Sequence, residues 1–238
     1  RVRPGHRVYG YFPISNILDV EAVHVSDRGF MDGASHRQGL APIYNTYSFI
    51  ETDPAYQSDY ESQQMLFRPL YLTGWMICDS LVEGAPRPDK VIISSASSKT
   101  ALATAHALKT RGISTIGLTS PRNLDFVRDS SLYDDVLTYD AVSDIKPGNA
   151  SAYVDFVGRP ALTATIHSHC ADALVRSLVI GVTDWEADRT PPADLVGPTP
   201  EFFFVPDYAA ARAKALPLGE LDRRMVGDLT AFYPASRA

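Results

Sequence analysis

Residues 91–119 read VIISSASSKTALATAHALKTRGISTIGLT, and this stretch decides the fold of the chain. Val91–Ile93 is a short β-branched run, and small and apolar residues from Ala101 to Leu108 then recur at helical spacing before Gly112. Thr115–Leu118 is a second strand-like run. The stretch therefore predicts a strand, a turn, a helix and a second strand parallel to the first, which is one βαβ unit of about 30 residues.

The turn of this unit, Ser94–Ser98, consists of serine and alanine alone. A small-residue turn that opens a helix presents backbone N–H groups to a phosphate, and the helix dipole favours the anion. The usual dinucleotide fingerprint has three glycines, and serine does not easily replace glycine where φ must be positive. The alternative is a buried crossover that binds no ligand. The residues predicted to contact a dinucleotide here are Ser95, Ala96, Ser97, Ser98, Lys99 and Thr100.

The residues after the second strand favour NADP over NAD. An NAD site usually places Asp or Glu there, to hold the ribose 2′-hydroxyl. This chain has Thr119, Ser120, Pro121, Arg122 and Asn123 instead. Ser120 can donate to a phosphate, and the guanidinium of Arg122 can bind one. The alternative is an exposed turn that happens to carry an arginine.

Composition limits the classes of function. The chain has 238 residues, 45% of them hydrophobic, which predicts one large domain or a domain and a half. A net charge of −6 without a basic stripe argues against nucleic acid as a partner. No apolar run approaches the about 20 residues of a membrane span, and no signal peptide is recognisable. Cys78 and Cys170 lie far apart and predict reduced thiols in a cytoplasmic protein.

Two proline-rich stretches and one histidine pair are the remaining local signals. Pro86–Asp89 and Thr190–Pro192 are typical of domain boundaries. Pro69 suits the first position of a helix. His167, His169 and Cys170 are the candidate metal ligands, but their spacing directs them to different faces of a helix. The sequence therefore predicts no metal site.

Several short motifs follow one another in a fixed order. They are Pro4–Gly10 (PGHRVYG), Leu70–Gly74 (LYLTG), Ser94–Ala101 (SSASSKTA), Thr119–Ser120 with Asn123 and Phe126, Leu132–Val136 with Tyr139–Asp140, Val154–Gly158 (VDFVG) and Leu178–Gly181 (LVIG). In this order the motifs resemble the strands, connecting helix and cofactor loop of medium-chain dehydrogenase/reductases of the quinone-oxidoreductase-like type. Within that superfamily the chain is similar to a branch known mainly as a domain of unknown function.

The resemblance implies a fold and a domain organisation. It implies an α/β protein with a Rossmann-type doubly wound parallel sheet and part of a GroES-like β-rich domain. Residues 1–85 would form the partial GroES-like domain and connecting helix, 86–190 the dinucleotide-binding domain, and 191–238 the C-terminal strand and helices. Members normally carry about a hundred more residues before this point. Val91–Ser95 should be central in the sheet, beside Thr115–Leu118.

The resemblance also implies an activity. It implies a zinc-independent, NADPH-dependent oxidoreductase that reduces a carbonyl or enone small molecule. Thr73 would lie near the nicotinamide and Tyr139 near the cofactor, and Phe202–Phe204 would join two copies in a homodimer. Tyr44 and Asn45 could polarise a substrate carbonyl through a hydroxyl and an amide, or be an interface aromatic and a turn residue. The alternative function is a non-redox, lyase-like or nucleotide-sensing protein, since the cofactor turn has no glycine.

Overall fold

A computed structural model describes residues 1–181 and 195–236 of the chain. Contacts between Cα atoms divide the chain into two compact units, residues 1–66 and 67–238. The domain boundary predicted after residue 85 stays a prediction. The boundary predicted at residues 190 and 191 lies outside the described residues.

The first unit contains a four-stranded antiparallel sheet in the order β1-β4-β3-β2. Its elements are β1 Val8–Tyr9, β2 Ala22–Val23, β3 Gly29–Asp32, helix α1 Pro42–Asn45 and β4 Thr46–Phe49. Phe30, Tyr47 and Phe49 form its small hydrophobic core. This sheet agrees with the predicted part of a GroES-like β-rich domain.

The second unit is built on a six-stranded parallel sheet in the order β10-β9-β8-β5-β6-β7. The strands are β5 Lys90–Ile93, β6 Ser114–Thr119, β7 Asp135–Thr138, β8 Ser151–Asp155, β9 Leu174–Val179 and β10 Glu201–Phe202. Val91 pairs with Thr115 in parallel register, which confirms the predicted central strand and its neighbour. The strand order reverses between β5 and β8, and open α/β sheets bind ligands outside the carboxyl ends of the strands at such a point.

Helix α2 Glu61–Glu83 precedes β5. Helices α3 Lys99–Thr110, α4 Leu124–Asp129 and α5 Pro160–Cys170 connect strands of the sheet, as the Rossmann-type prediction requires, and α6 Val205–Ala215 and α7 Glu220–Ala235 follow β10. Gly112 follows α3 with a φ of +68°, so it ends the helix in the left-handed conformation that favours glycine. A fully buried layer that includes Ile92, Leu118 and Ile166 packs between sheet and helices. No helix among the described residues is long and apolar enough to cross a membrane.

The expectation that Pro69 opens a helix is wrong. Helix α2 begins at Glu61, so Pro69 lies inside it. A proline inside a helix costs about 3 kcal/mol. The fully buried side chains of Tyr71, Trp75 and Leu81 follow on the same helix, and each buried side chain of this size contributes about 1.5–3 kcal/mol. Tertiary packing therefore outweighs the local effect of the proline.

A buried histidine holds the segment that leads to β10. The Nδ1–H of His167 donates to the carbonyl oxygen of Val196 at 2.8 Å, since a carbonyl only accepts. Its Nε2 then accepts from the hydroxyl of Ser177 at 2.9 Å. Burial lowers the pKa of His167, because the charged ring is less well solvated inside the protein.

Gly74 lets α2 approach the backbone of α3, and this contact generates a first prediction. A Cβ at residue 74 would lie 2.6 Å from the backbone nitrogen of Thr104. We expect Gly74→Ala to lower the free energy of unfolding by about 1–3 kcal/mol, because backbone atoms must move. Gly227→Ala is the control, since its Cβ would meet nothing within 4 Å on α7; it should raise stability by about 0.5–1 kcal/mol. Urea unfolding measures both, and equal effects would contradict the close helix contact.

His167 generates a second prediction, on pH dependence. Its lowered pKa means that the folded protein favours the neutral ring. The unfolded chain takes up this proton near pH of about 6.5, so stability should be full above that pH and fall as the pH drops below it. We expect His167→Gln to flatten the fall in unfolding free energy between about pH 7 and 5. The exposed His36→Gln is the control; an identical slope in all three proteins would rule out this role for His167.

Candidate functional site

The serine turn, Ser94–Ser98, lies at the carboxyl end of β5 and leads into α3. Ser95 has a φ of +51°, a backbone conformation that residues other than glycine rarely adopt. The N–H of Ser98 donates to the carbonyl of Ser95 at 2.8 Å, which closes the turn. The chain thus places serine at a position where the dinucleotide fingerprint would favour glycine.

A glycine on the neighbouring strand makes room for this turn. The N–H of Ala96 donates to the carbonyl of Leu118 at 3.0 Å, so the turn lies against β6. A Cβ at Gly117 would come within 3.0 Å of the Ala96 Cβ and 2.9 Å of the Tyr133 ring. The Tyr133 hydroxyl donates to the carbonyl of Ala96 at 3.0 Å. The glycine that lets the turn and β6 pack closely together therefore lies on β6 and not in the turn.

Ser98 is the N-cap of α3. Its hydroxyl oxygen accepts from the N–H of Ala101 at 3.4 Å. Ser97, one residue earlier, does not cap the helix. The reason is that Ser97 precedes the cap and its hydroxyl oxygen accepts instead from the Asn123 side chain at 3.0 Å.

The start of α3 is the part of the site best suited to an anion. Among the described residues, the backbone N–H groups of Ser97, Lys99 and Thr100 have no hydrogen-bond acceptor. The first N–H groups of a helix lack intrahelical partners and carry partial positive charge. Lys99 is exposed and adds a full charge at the first helical position. A phosphate here would find both donors and a favourable field.

The second turn of the site follows β6. Thr119 is buried at the end of the strand, and Ser120 leads into a 3-10 turn of Pro121–Asn123. Arg122 is exposed, Ser120 is half-buried, and no carboxylate occupies 119–123. The bond from Asn123 to Ser97 brings this turn beside the serine turn. The structure therefore brings together the residues that the sequence predicted for the pyrophosphate and for the 2′-phosphate of a dinucleotide.

Tyr139 completes this group from the end of β7. Its hydroxyl oxygen accepts from the N–H of Ser95 at 3.2 Å, and its own N–H donates to the carbonyl of Thr119 at 3.2 Å. The guanidinium carbon of Arg159 lies 5.5 Å from the centre of its ring. Tyr139 thus contacts both turns. Its hydroxyl accepts from the Ser95 N–H, a donor that a glycine-rich loop would leave for a ligand.

Ser94 and Asp155 tie β5 to β8, a contact that the sequence reasoning missed. The Ser94 hydroxyl donates to Asp155 Oδ1 at 2.8 Å and accepts from the N–H groups of Phe156 and Val157 at 2.8 and 3.1 Å. Asp155 is 3% exposed and also accepts from the Thr163 hydroxyl at 3.3 Å. The available signal was a lone carboxylate at the end of an apolar strand, which buried strands rarely tolerate without partners.

The three predicted substrate contacts lie in different surroundings. Asn45 is buried; its Oδ1 accepts from Arg37 Nε at 3.0 Å, and its Nδ2 donates to the Arg37 carbonyl at 3.1 Å. Tyr44 is half-buried and packs edge-on against Tyr11, with ring centres 5.3 Å apart. The Thr73 hydroxyl donates to the Pro69 carbonyl at 3.2 Å, within α2. Their catalytic roles stay predictions.

The candidate metal ligands and the aromatic strand can also be placed. His169 Nε2 contacts the carbonyl of Ile145 at 2.8 Å, apart from the partners of His167. No group of three metal-binding side chains occurs among residues 1–181 and 195–236. Both cysteines are free and buried. Among the strands that the structure describes, β10 pairs with β9 alone, and the exposed rings of Phe202 and Phe204 stack with centres 6.4 Å apart.

Solved structures share this fold. An enoyl thioester reductase from Candida tropicalis, in a mutant form, has 19% identity and a TM-score of 0.55 over 74% of this chain and 51% of that one. The yhdH oxidoreductase from Salmonella enterica, in complex with NADP, has 15% identity and a TM-score of 0.57 over 89% and 67%. Escherichia coli K-12 YhdH, with bound NADPH, has 16% identity and a TM-score of 0.51 over 70% and 52%.

These similarities confirm the predicted α/β fold, a Rossmann-type parallel sheet with part of a second, β-rich domain. The chain matches about half the length of the Candida reductase. A comparison with curated proteins finds no match. A family model matches residues 1–238, and the chain therefore belongs to the family described as protein of unknown function, DUF2855.

Proposed function

We propose that the chain binds NADP(H) at the carboxyl edge of its six-stranded sheet and reduces a carbonyl or enone small molecule. The observation that carries this proposal is a pairing of two turns: the serine turn ends β5, beside which the strand order reverses, and the turn of Arg122 ends the neighbouring strand β6. Two anion-binding features lie side by side there, and a dinucleotide phosphorylated at the 2′ position carries anions at both ends of its adenosine half. Similar folds solved with NADP or NADPH support this choice.

The pyrophosphate would be held at the start of α3. The N–H groups of Ser97, Lys99 and Thr100 supply donors, and the Lys99 ammonium supplies charge. The hydroxyl of Ser97 keeps its hydrogen for a phosphate oxygen, because Asn123 occupies an acceptor position. These contacts replace what glycine-rich loops gain from close backbone approach.

The 2′-phosphate would be held by the second turn. Arg122 offers a planar pair of donors, and Ser120 offers a hydroxyl. No carboxylate in 119–123 repels the phosphate. The arrangement therefore favours NADPH over NADH.

Substrate reduction would use few protein groups. The bound nicotinamide supplies the hydride. As the family resemblance implies, Thr73 would lie near the nicotinamide and the Tyr44 hydroxyl would polarise the acceptor, and the reaction would be zinc-independent. Asn45 has both amide atoms engaged by Arg37, so its proposed part is to hold the backbone that carries Tyr44. A cytoplasmic location and a homodimer through Phe202–Phe204 complete the proposal. The exposed rings of Phe202, on β10, and Phe204, just after it, stack on each other, which favours a covering partner.

A nucleotide-sensing protein without turnover is the second candidate. One observation favours it: the Ser95 N–H already donates to Tyr139, so the serine turn offers fewer donors than a glycine-rich loop. Both candidates bind the nucleotide, and only the reductase consumes it.

NADPH binding and oxidation test the main proposal. We expect calorimetric binding of NADPH to the 238-residue chain and faster loss of its 340 nm absorbance when an enone or quinone is added. Lys99→Ala should raise the dissociation constant about tenfold, which corresponds to about 1.4 kcal/mol. Lys214→Ala, an exposed lysine on α6, is the control and should leave it unchanged. Binding without oxidation of NADPH would favour the sensing protein, and no binding would reject both.

The second turn can be tested through cofactor preference. The double substitution Ser120→Ala with Arg122→Ala should weaken NADPH binding by tenfold or more, because each charge-assisted contact contributes about 1.5–3 kcal/mol. NADH binding should change little, since NADH has no 2′-phosphate. Arg128→Ala, at the exposed end of α4, is the matched control. Equal losses for both cofactors would show that these residues do not bind the 2′-phosphate.

A further inference from the structure

The side chain of Asn123 links the two turns of the candidate site. Its Nδ2 donates to Ser97 Oγ at 3.0 Å across 26 positions of the chain. Asn123 is half-buried at the end of the 3-10 turn, and the exposed Arg122 precedes it directly. A side-chain hydrogen bond therefore fixes one end of the turn that presents Arg122.

Other hydrogen bonds of this turn are within its own backbone and with Tyr139, just after β7. The N–H of Asn123 donates to the carbonyl of Ser120 at 3.0 Å, and the Thr119 carbonyl accepts from Tyr139. Neither bond joins Arg122 to the serine turn. A guanidinium must meet a phosphate in a fixed planar geometry, so the direction of the Arg122 side chain depends on how firmly the backbone beside it is held.

The bond also sets the role of the Ser97 hydroxyl. A hydroxyl has one hydrogen to donate and two acceptor positions. Because Asn123 fills an acceptor position, Ser97 is left to donate outward. Successive hydrogen bonds polarise one another, so the amide makes the hydroxyl a stronger donor to an anion.

We infer that Asn123 is a positioning residue for cofactor choice: it holds Arg122 in the direction of a 2′-phosphate by anchoring its turn to Ser97. This inference rests on the proposed function. It differs from a direct contact, since Asn123 acts through Arg122 and the 2′-phosphate need not touch its amide. The preference for NADPH then depends on the spacing between the serine turn and the second turn.

The test is a set of calorimetric titrations with NADPH and NADH. We expect Asn123→Ala to lower the preference for NADPH over NADH about three- to tenfold, the range of one lost hydrogen bond. Ser97→Ala removes the same bond from the other side. It should weaken the binding of both cofactors and lower the preference for NADPH to the level of Asn123→Ala. The double variant should show no further loss of preference. Asn149→Ala, an exposed asparagine at the opposite edge of the sheet, is the control.

A comparison in the Arg122→Ala background separates a positioning role of Asn123 from direct binding of the phosphate. In the Arg122→Ala background, Asn123→Ala should leave the preference unchanged, because there is no guanidinium left to hold. A further drop in that background would mean that Asn123 binds the phosphate itself, and this would overturn the inference. A purely structural role would lower the melting temperature and both affinities together while the preference stayed constant, which would overturn it as well.

The outcomes also distinguish this inference from the proposed function. Wild-type protein that binds NADPH more tightly than NADH, with the same preference after Asn123→Ala, would reject the inference alone. Wild-type protein that binds neither cofactor would reject the proposed function, and the inference with it. Thermal unfolding of every variant shows whether it is folded, and Ser97→Ala keeps the test open if Asn123→Ala is not.

Discussion

The buried hydrogen bond from Ser94 to Asp155 is the constraint on which the candidate site depends. It joins the ends of β5 and β8, the two strands between which the sheet order reverses. An ionised carboxylate without partners is costly inside a protein, and Asp155 accepts from two hydroxyls and two backbone N–H groups instead. Because Ser94 both donates to the carboxylate and accepts from the next turn, the first residue of the serine turn cannot shift without exposing unpaired groups. The serine turn therefore starts from a fixed point at the end of β5.

From that anchor the chain obtains a glycine-like turn without a glycine in it. Ser95 takes the left-handed conformation at a cost of about 1–2 kcal/mol. Its N–H bond to Tyr139 offsets part of that cost. Room for the turn comes from Gly117 on the adjacent strand, where a Cβ would collide with Ala96 and Tyr133. In a glycine-rich loop the glycines provide both the space and the left-handed conformation. Here Gly117 on β6 provides the space, and Ser95 takes the conformation with a hydrogen bond to Tyr139.

The extent to which the sequence predicts this arrangement depends on the range of each interaction. The βαβ unit follows from local signals, since β-branched runs and helical spacing act within about a dozen residues, and the central position of β5 was correctly predicted. Pro69 misled because burial of Tyr71 and Trp75 overrides a local propensity. The bond of Ser94 to Asp155 spans 61 positions and the bond of Asn123 to Ser97 spans 26; no local pattern encodes either. The proximity of the two turns could be predicted from the order of parallel strands, but the side chain that joins them could not.

The division of tasks around the serine turn changes how such proteins are recognised. A search pattern built on glycine spacing passes over this chain, since the turn itself offers no match. A pattern that joins a serine at the end of one strand, a glycine inside the next and an aspartate ending the fourth would describe the same architecture by the atoms that maintain it. Proteins of this fold whose loops lack glycine could be sorted in this way. We expect those that keep the compensating positions to keep the shape of the loop, and those without them to lose it.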